Sequence, residues 1–424
     1  MMRIELVNKF LDDRGGDTTA VHLLRGWLQE RGHEVFLFGT WPRAPRGASE
    51  TAGVTAAADR PRAGAAYGAG DFPDADLFPA PLPPNGAPLS RAAALYRISA
   101  GAALARAVER RRPDVLHFHN IHYHLSGAIV AAARQHGVPV VWTLHDVNLF
   151  CPNISGCRDG RPCMECHVSR FHRCVAFNCR GDVAASVAAA AEAYLFRALG
   201  LWRDIARFIA PSRFTRLLLE THGVSPERVA LVEPALDLAR FAAPPEGGGG
   251  FLYVGRLSPE KGVEVLIEAM GRLPRTRLQV AGDGPLRPAL ERLAEERAPG
   301  RVRFLGRLSR EEVARALACC EALVLPSVCL EVAPLAVLEA AAAARAVVAS
   351  RVGGVPEWVD DGETGVLVPC AEVEPLAEAL AALADSPQRA RRLGEQGRER
   401  ARRRYDPAVH CDTLEDVYRR AAAR

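Results

Sequence analysis

Short runs of β-branched and aromatic residues alternate along this chain with longer stretches whose apolar positions recur at helical spacing. Strands that alternate with helices in this way are typical of a parallel, doubly wound α/β sheet. Over the first half, the pattern predicts strands at 3–8, 34–39, 114–119, 138–145, 207–211 and 229–232, and helices at 18–31, 91–112 and 125–135.

A second series of strands and helices begins after a linker-like run of two prolines and four glycines at 244–250. We therefore expect two Rossmann-like domains, at 1–245 and 246–400, and then a C-terminal helix at 401–424 that is free to pack back on the first domain. The second series consists of strands at 251–254, 277–281, 302–305, 322–325 and 346–349, helices at 262–271, 286–297, 310–319 and 335–344, a turn at 360–365 and a largely helical tail from 373.

Two segments interrupt the alternation. Residues 41–88 are rich in Ala, Pro and Gly, which fits either a mobile loop over a cleft or a low-complexity insertion. Residues 150–182 hold six of the eleven cysteines. A long segment without apolar periodicity needs an internal cross-link, such as a bound metal ion or a disulfide. An iron–sulfur cluster, disulfides and free thiols are alternatives to a closed zinc site. The candidate zinc ligands, by their spacing, are Cys163, Cys166, Cys174 and Cys179.

Composition narrows the classes of protein. The 424 residues are 49% apolar and 25% charged, which suffices for sizeable cores and excludes a mainly disordered chain. The net charge of +4 gives no support for nucleic acid as a partner. The sequence shows no signal-peptide pattern and no run of about 18 uncharged apolar residues, so we expect a cytoplasmic chain.

The basic residues are unusual in kind. Of 54 lysines and arginines, only Lys9 and Lys261 are lysines. Lys261 precedes a predicted helix after the first strand of the second half, and Arg256 follows that strand closely. Ligands of doubly wound sheets bind at the carboxyl ends of the strands, where two cations beside a helix N-terminus suit a diphosphate. The sequence offers no comparable explanation for Lys9.

Other candidate residues also follow strands. Gly282 and Gly284 leave room for a bulky ligand, although turn formation explains them about equally well. Glu331 follows a further strand, whereas Glu339 stands among Ala, Val and Leu in a predicted helix. A carboxylate in such surroundings must be paired, hydrated or ligand-bound, unless it only complements the helix dipole. Histidines after the third strand are candidates for cleft residues, metal ligands or ordinary surface residues.

In this order along the chain, these motifs resemble those of glycosyltransferase family 4. The family consists of retaining enzymes that use nucleotide sugars. The resemblance implies the GT-B fold, in which two Rossmann-like, doubly wound domains face a central cleft, with the acceptor bound by the first and the donor by the second. It rests on Arg256 with Lys261, on Gly282 and Gly284, on Pro326-Ser327, and on the pair Glu331-x7-Glu339.

The resemblance also implies roles for single residues. Because two cations offset the charge of the leaving diphosphate, no catalytic metal is expected. Ala333-Pro334 replaces a Phe-Gly pair of many members, which leaves the donor sugar open. The implied catalytic residues are Arg256 and Lys261 at the diphosphate, Glu331 near the transferred sugar and His119 in the cleft. The implied donor-binding residues are Gly16, Gly282, Gly284, Ser327 facing the diphosphate and Glu339 accepting from the ribose hydroxyls.

The sequence therefore predicts a retaining glycosyltransferase of the hexosyltransferase type. It would move a sugar from a nucleotide-diphosphate sugar to a saccharide or a lipid-linked acceptor, as in polysaccharide biosynthesis. A sugar-nucleotide epimerase on the same fold and a non-catalytic, zinc-stapled sugar-binding protein are the alternatives. The basic residues of the predicted helix 91–112 suit either peripheral contact with the inner face of a membrane or an ordinary helix face exposed to solvent.

Overall fold

The first half of the chain forms one parallel sheet. The computed structural model describes residues 1–11, 15–41, 75–79, 95–243 and 249–423. Two very short strands, β6 and β7, pair only with each other, and the remaining seven lie in the order β3-β2-β1-β4-β5-β8-β9. In chain order the strands are β1 (Arg3–Phe10), β2 (Glu34–Trp41), β3 (Ala75–Pro79), β4 (Val115–Phe118), β5 (Val140–Thr143), β6 (Cys157–Arg158), β7 (Arg161–Pro162), β8 (Ile205–Ala210) and β9 (Val229–Leu231).

Helices cover both faces of this sheet, which is why its central strands are buried throughout. The four residues of β4 and the four of β5 are all buried, as parallel strands between two helical layers require. The helices of this half are α1 (Gly16–Glu30), α2 (Ile98–Arg111), α3 (Ala128–Gln135), α4 (His172–Ala176), α5 (Val183–Ala198) and α6 (Arg213–Thr221).

The second half forms another parallel sheet, with the order β12-β11-β10-β13-β14-β15. The predicted architecture of two doubly wound α/β domains is therefore confirmed. Its strands are β10 (Phe251–Val254), β11 (Leu278–Ala281), β12 (Val302–Gly306), β13 (Ala322–Leu325), β14 (Ala346–Ser350) and β15 (Gly365–Val368). Its helices are α7 (Val263–Gly271), α8 (Arg287–Arg297), α9 (Arg310–Cys319), α10 (Leu335–Ala342), α11 (Val373–Ala384), α12 (Pro387–Arg404) and α13 (Pro407–Ala422).

The last helix, α13, packs against the first sheet. Its apolar residues Leu414, Val417 and Tyr418 belong to the same buried cluster as Ile4 and Val141 of the first sheet. The chain thus begins and ends in one core, and α13 ties the second half to the first. Within the described residues, no helix is long and apolar enough to cross a membrane.

Several boundaries differ from the sequence prediction. Segment 41–88 contains a strand, β3, which extends the sheet beside β2, and apart from residues 41 and 75–79 that segment lies outside the described residues. The last strand, β15, stands just after the predicted turn, and α2 begins at Ile98 rather than near 91. Residues 244–248 of the predicted linker lie outside the described chain, but Gly249 N donates to Cys319 O at 2.9 Å.

Candidate active site between the two sheets

The carboxyl ends of the two sheets approach each other. A Cβ built on Gly16, where α1 begins, would lie 3.2 Å from Leu335 Cδ1 at the start of α10. A second contact joins the halves where Leu330 N donates to Ser155 O at 3.2 Å. Loops after strands of both sheets therefore border one cleft, which is where doubly wound folds bind their ligands.

An ion pair between Lys261 and Glu331 lies at the second half's side of this cleft. Lys261 Nζ donates to Glu331 Oε1 at 2.7 Å, and the two side chains are 26% and 11% exposed. Burial alone would lower the pKa of Lys261, but the Glu331 carboxylate outweighs it and raises that pKa. Burial alone would raise the pKa of Glu331, but the neighbouring Lys261 outweighs it, so that pKa is lowered. Both groups are therefore charged at neutral pH.

The loop that carries Glu331 is held from two sides. Ser327 Oγ donates to Glu331 Oε1 at 2.6 Å, and Gly354 N donates to Glu331 O at 2.7 Å. Gly262 has φ 67°, and a Cβ there would lie 2.1 Å from Pro326 O, so only glycine lets the Lys261 turn approach this loop. Ser327 is fully buried and its hydroxyl donates to Glu331, and its predicted place at the donor diphosphate stays a prediction.

Arg256 is the exposed cation of the site. Its backbone carbonyl accepts from Tyr253 Oη at 2.8 Å, which fixes the loop after β10. Its guanidinium makes no hydrogen bond or ion pair within the described part of the chain. Gly282 and Gly284 pack against this loop, since a Cβ at Gly282 would lie 1.8 Å from Gly255 O. The structure therefore brings Arg256 and both predicted glycines to the same edge of the sheet.

Glu339 lies in the middle of α10 with no hydrogen-bond donor from the described residues. Burial raises the pKa of Glu339 to about 7, although Arg310 and Arg240 act in the opposite direction. A half-buried carboxylate without a protein donor is available to the hydroxyl groups of a ligand.

His119 lies behind the first half's side of the cleft. Its Nδ1 and His145 Nε2 are 2.8 Å apart, while its Nε2 is buried with no partner among the described residues. Burial lowers the pKa of His119 well below its usual range, and His117 and His145 reinforce this, so the ring is neutral. Because His119 is only 2% exposed, a ligand meets His145 before it meets His119.

The cysteine segment contacts the loop that carries Glu331, through the hydrogen bond from Leu330 N to Ser155 O. Among the described residues, no group of three or more His, Cys, Asp or Glu side chains is arranged to hold a metal ion. Cys166 and Cys174 instead pack with Phe171 in a small apolar cluster, and burial raises the pKa of each thiol to about 12. The thiols of Cys163, Cys166, Cys174 and Cys179 are nevertheless near enough to act on one another electrostatically, and their role as a zinc ligand set stays a prediction.

The sequence did not predict that Lys9, Asp17 and Asn120 form a charged cluster on the first half's side of the cleft. Asn120 Nδ2 donates to Asp17 Oδ2 at 2.8 Å, and Lys9 acts electrostatically on Asp17, His145 and Asp146. The scarcity of lysine drew attention to Lys9, but its neighbours in the cluster lie up to 137 residues further along the chain and gave no comparable signal.

Family models match both halves of the chain. The model described as "Glycosyltransferase Family 4" matches residues 14–240, and "Glycosyl transferases group 1" matches residues 239–400. Glycogen synthase of Mycobacterium tuberculosis is 30% identical over 316 residues, which are 72% of this chain and 69% of that protein. Alpha-D-kanosaminyltransferase of Streptomyces kanamyceticus is 36% identical over 173 residues, 40% of this chain and 45% of that protein. The chain thus spans less than half of the second relative.

Solved structures share the fold along the whole chain. Sucrose-phosphate synthase of Thermosynechococcus elongatus superposes with a TM-score of 0.68 at 20% identity and covers 100% of both chains. The HepE protein of Anabaena, solved with UDP and glucose, has a TM-score of 0.68 at 17% identity and covers 98% of this chain and 99% of its own. These likenesses confirm the GT-B arrangement.

Proposed function

The chain belongs to glycosyltransferase family 4, and on that premise we propose that it is a retaining transferase that uses a nucleotide-diphosphate sugar. The donor would lie against the second sheet and the acceptor against the first. The observation that carries the proposal is the charged Lys261–Glu331 pair at the edge of the sheet where the loop after β10 carries the exposed Arg256.

The cations suit the charge that develops in the reaction. Cleavage of the glycosyl–phosphate bond leaves negative charge on the departing diphosphate, and a pre-placed ammonium and guanidinium stabilise it without reorganisation. Lys261 is held in place by Glu331, whereas Arg256 has no competing partner in the described chain. We assign both to the diphosphate and need no metal ion for this step.

Glu339 is proposed to bind the ribose of the donor. A ribose diol offers two O–H donors, and the carboxylate of Glu339 offers acceptor oxygens that no described residue uses. Gly282 and Gly284 keep the neighbouring surface free of side chains, which leaves space for the nucleoside. The UDP named with the HepE structure supports a nucleoside diphosphate as the leaving group and leaves the base of this chain's donor open.

Retention of configuration is proposed from the family resemblance, and Glu331 is unsuited to act as the nucleophile of a double displacement. Its Oε1 accepts from Lys261 and from Ser327, and this shared engagement lowers its pKa and its nucleophilicity. A front-face reaction, in which the leaving phosphate assists deprotonation of the acceptor, needs no protein nucleophile. Glu331 then binds hydroxyl groups of the transferred sugar.

The acceptor is proposed to be a saccharide or a lipid-linked saccharide. Relatives are named "Alpha-maltose-1-phosphate synthase" and "MMP alpha-(1->4)-mannosyltransferase", and a saccharide product or a (1->4) linkage in a name supports a sugar acceptor. An epimerase would need an acid and a base at the sugar, and the group expected nearest the transferred sugar, Glu331, is engaged by Lys261 and Ser327.

The experiment is a panel of UDP, GDP and ADP sugars assayed for slow hydrolysis by the purified chain. We expect one nucleotide family to be hydrolysed, and Lys261→Ala to lower that rate by roughly 30- to 1,000-fold. Arg392→Ala, at an exposed position of α12, is the matched control and should leave the rate unchanged. Absence of both binding and hydrolysis across the panel would contradict the proposed function.

A further inference from the structure

The two lysines occupy matching places in the two sheets. Lys9 is the penultimate residue of β1, and Lys261 follows β10, so each lies at the carboxyl end of the first strand of its half. The chain has 54 lysines and arginines, of which two are lysines. Because of their places at the ends of these strands, both lysines border the cleft. Lys261 has a role in the proposed donor site, whereas Lys9 has none.

The backbone around Lys9 is held rigidly. Lys9 N donates to Asn120 O at 2.6 Å, and Lys9 O accepts from the Thr40 hydroxyl. Asn120 is also tied to β1 by a second contact, because its backbone N donates to Asn8 Oδ1 at 3.0 Å. The starting point of the Lys9 side chain is therefore fixed by backbone contacts that any substitution would keep.

A carboxylate is fixed beside the Lys9 side chain. Asp17, in the first turn of α1, accepts from Asn120 Nδ2 at 2.8 Å. Burial would raise the pKa of Asp17, but Lys9 and His145 outweigh it and lower that pKa, so Asp17 is ionised at neutral pH. Asp17 adjoins Gly16, whose built Cβ would lie 3.2 Å from Leu335 Cδ1, so Asp17 lies near the place where the two halves meet.

The Lys9 ammonium has no direct partner. Within the described chain it makes no hydrogen bond or ion pair, although Asp17 and Asp146 are near enough to act on it. Its three N–H donors are therefore available to a ligand, and the carboxylate of Asp17 has acceptor capacity left. Because nearby carboxyl groups balance the ammonium, the cluster does not favour an anion.

We propose that Lys9 and Asp17 bind one hydroxyl group of a neutral polyol or sugar acceptor, with Lys9 donating to its oxygen and Asp17 accepting its hydrogen. A hydroxyl is the group that both donates and accepts, which the pair matches. An ammonium suits this place better than a guanidinium, because it is compact and its donors are not confined to a plane. The inference rests on the proposed function, since it names the acceptor side of that reaction.

The test measures how the transferred sugar partitions between water and glycerol. The donor is the nucleotide sugar that the wild-type chain hydrolyses, and molar glycerol is the probe acceptor. We expect wild type to form glyceryl glycoside, and Lys9→Met to lower the glycoside yield by roughly tenfold to a hundredfold relative to free sugar, as loss of a hydrogen bond from a charged group implies. Lys9→Arg should recover only part of the yield.

Two controls separate the outcomes. Asp17→Asn should shift the partition in the same direction, and the double variant Lys9→Met/Asp17→Asn should be no worse than the poorer single variant, because both act on one hydroxyl. Wild type that hydrolyses the donor but forms no glyceryl glycoside, or an unchanged partition in Lys9→Met, would overturn the inference. Loss of hydrolysis in wild type itself would instead contradict the proposed function. Thermal unfolding checks that each variant is folded.

Discussion

Removal of Lys261 separates the structural role of its ion pair from its proposed role in catalysis. In Lys261→Met the Glu331 carboxylate keeps the Ser327 hydroxyl at 2.6 Å but loses its cation at 2.7 Å. Removal of one partner from a fully buried pair costs about 3–5 kcal/mol. Because the Lys261 side chain is 26% exposed, water can solvate part of the site, and we expect about 2–3 kcal/mol.

The effect on turnover should be independent of this loss of stability. A cation that stabilises the leaving diphosphate is comparable to an oxyanion donor, whose loss raises the barrier by about 2–4 kcal/mol. The corresponding fall in kcat is roughly 30- to 1,000-fold. The double variant Lys261→Met/Glu331→Gln carries no unpaired buried charge, and the amide oxygen of Gln can still accept from Ser327. It should regain stability to within about 1 kcal/mol of wild type.

The assay combines urea unfolding with steady-state donor hydrolysis for wild type, Lys261→Met and the double variant. We expect stability to fall in Lys261→Met and to recover in the double variant, while turnover falls and stays low in both. Recovery of turnover in the double variant would show that Lys261 only neutralises Glu331. Full turnover in Lys261→Met would remove Lys261 from the reaction altogether.

Three further predictions follow from single residues. Because burial raises the pKa of Glu339 to about 7, kcat/KM for the donor should fall as pH drops through 7 and the carboxylate gains a proton, and Glu339→Gln should flatten this part of the pH profile. Gly282→Ala should destabilise the second half by more than about 2 kcal/mol in urea unfolding, since its Cβ would meet Gly255 O at 1.8 Å, whereas Gly300→Ala, with open space around it, should cost about 1 kcal/mol. With a pKa raised to about 12, the buried thiol of Cys174 should react with iodoacetamide roughly a thousandfold more slowly in the native chain than in urea, as peptide mass spectrometry would show. Equal rates in both states would contradict its burial.

The sequence predicted the elements that depend on local periodicity. Strands β10 and β13 and helix α9 lie where the apolar pattern predicted them. The strands give continuous apolar runs because they are buried on both faces, and the helix gives apolar positions at helical spacing. Strand β3 was missed because it is held by pairing with β2, more than 30 residues earlier, within a segment of low complexity. Such non-local pairing leaves little trace in the pattern of one segment.

The site was predictable to a similar degree. Arg256 and Lys261 stood out because of their place after a strand and the rarity of lysine. The hydrogen bond from Ser327 to Glu331 could not be derived, since it depends on how one loop turns back on itself. Glu357 shows the same limit, because its carboxylate accepts from the backbone N of Arg213, 144 residues away in the other half.

The initial anomer of the sugar released from the donor tests the central claim most directly. Proton NMR during the first turnovers, before mutarotation, distinguishes the two anomers of the free sugar. The account predicts that the first product keeps the configuration of the donor, and that Lys261→Met slows its formation without changing it. Release of the inverted anomer would contradict the retaining reaction proposed for this cleft.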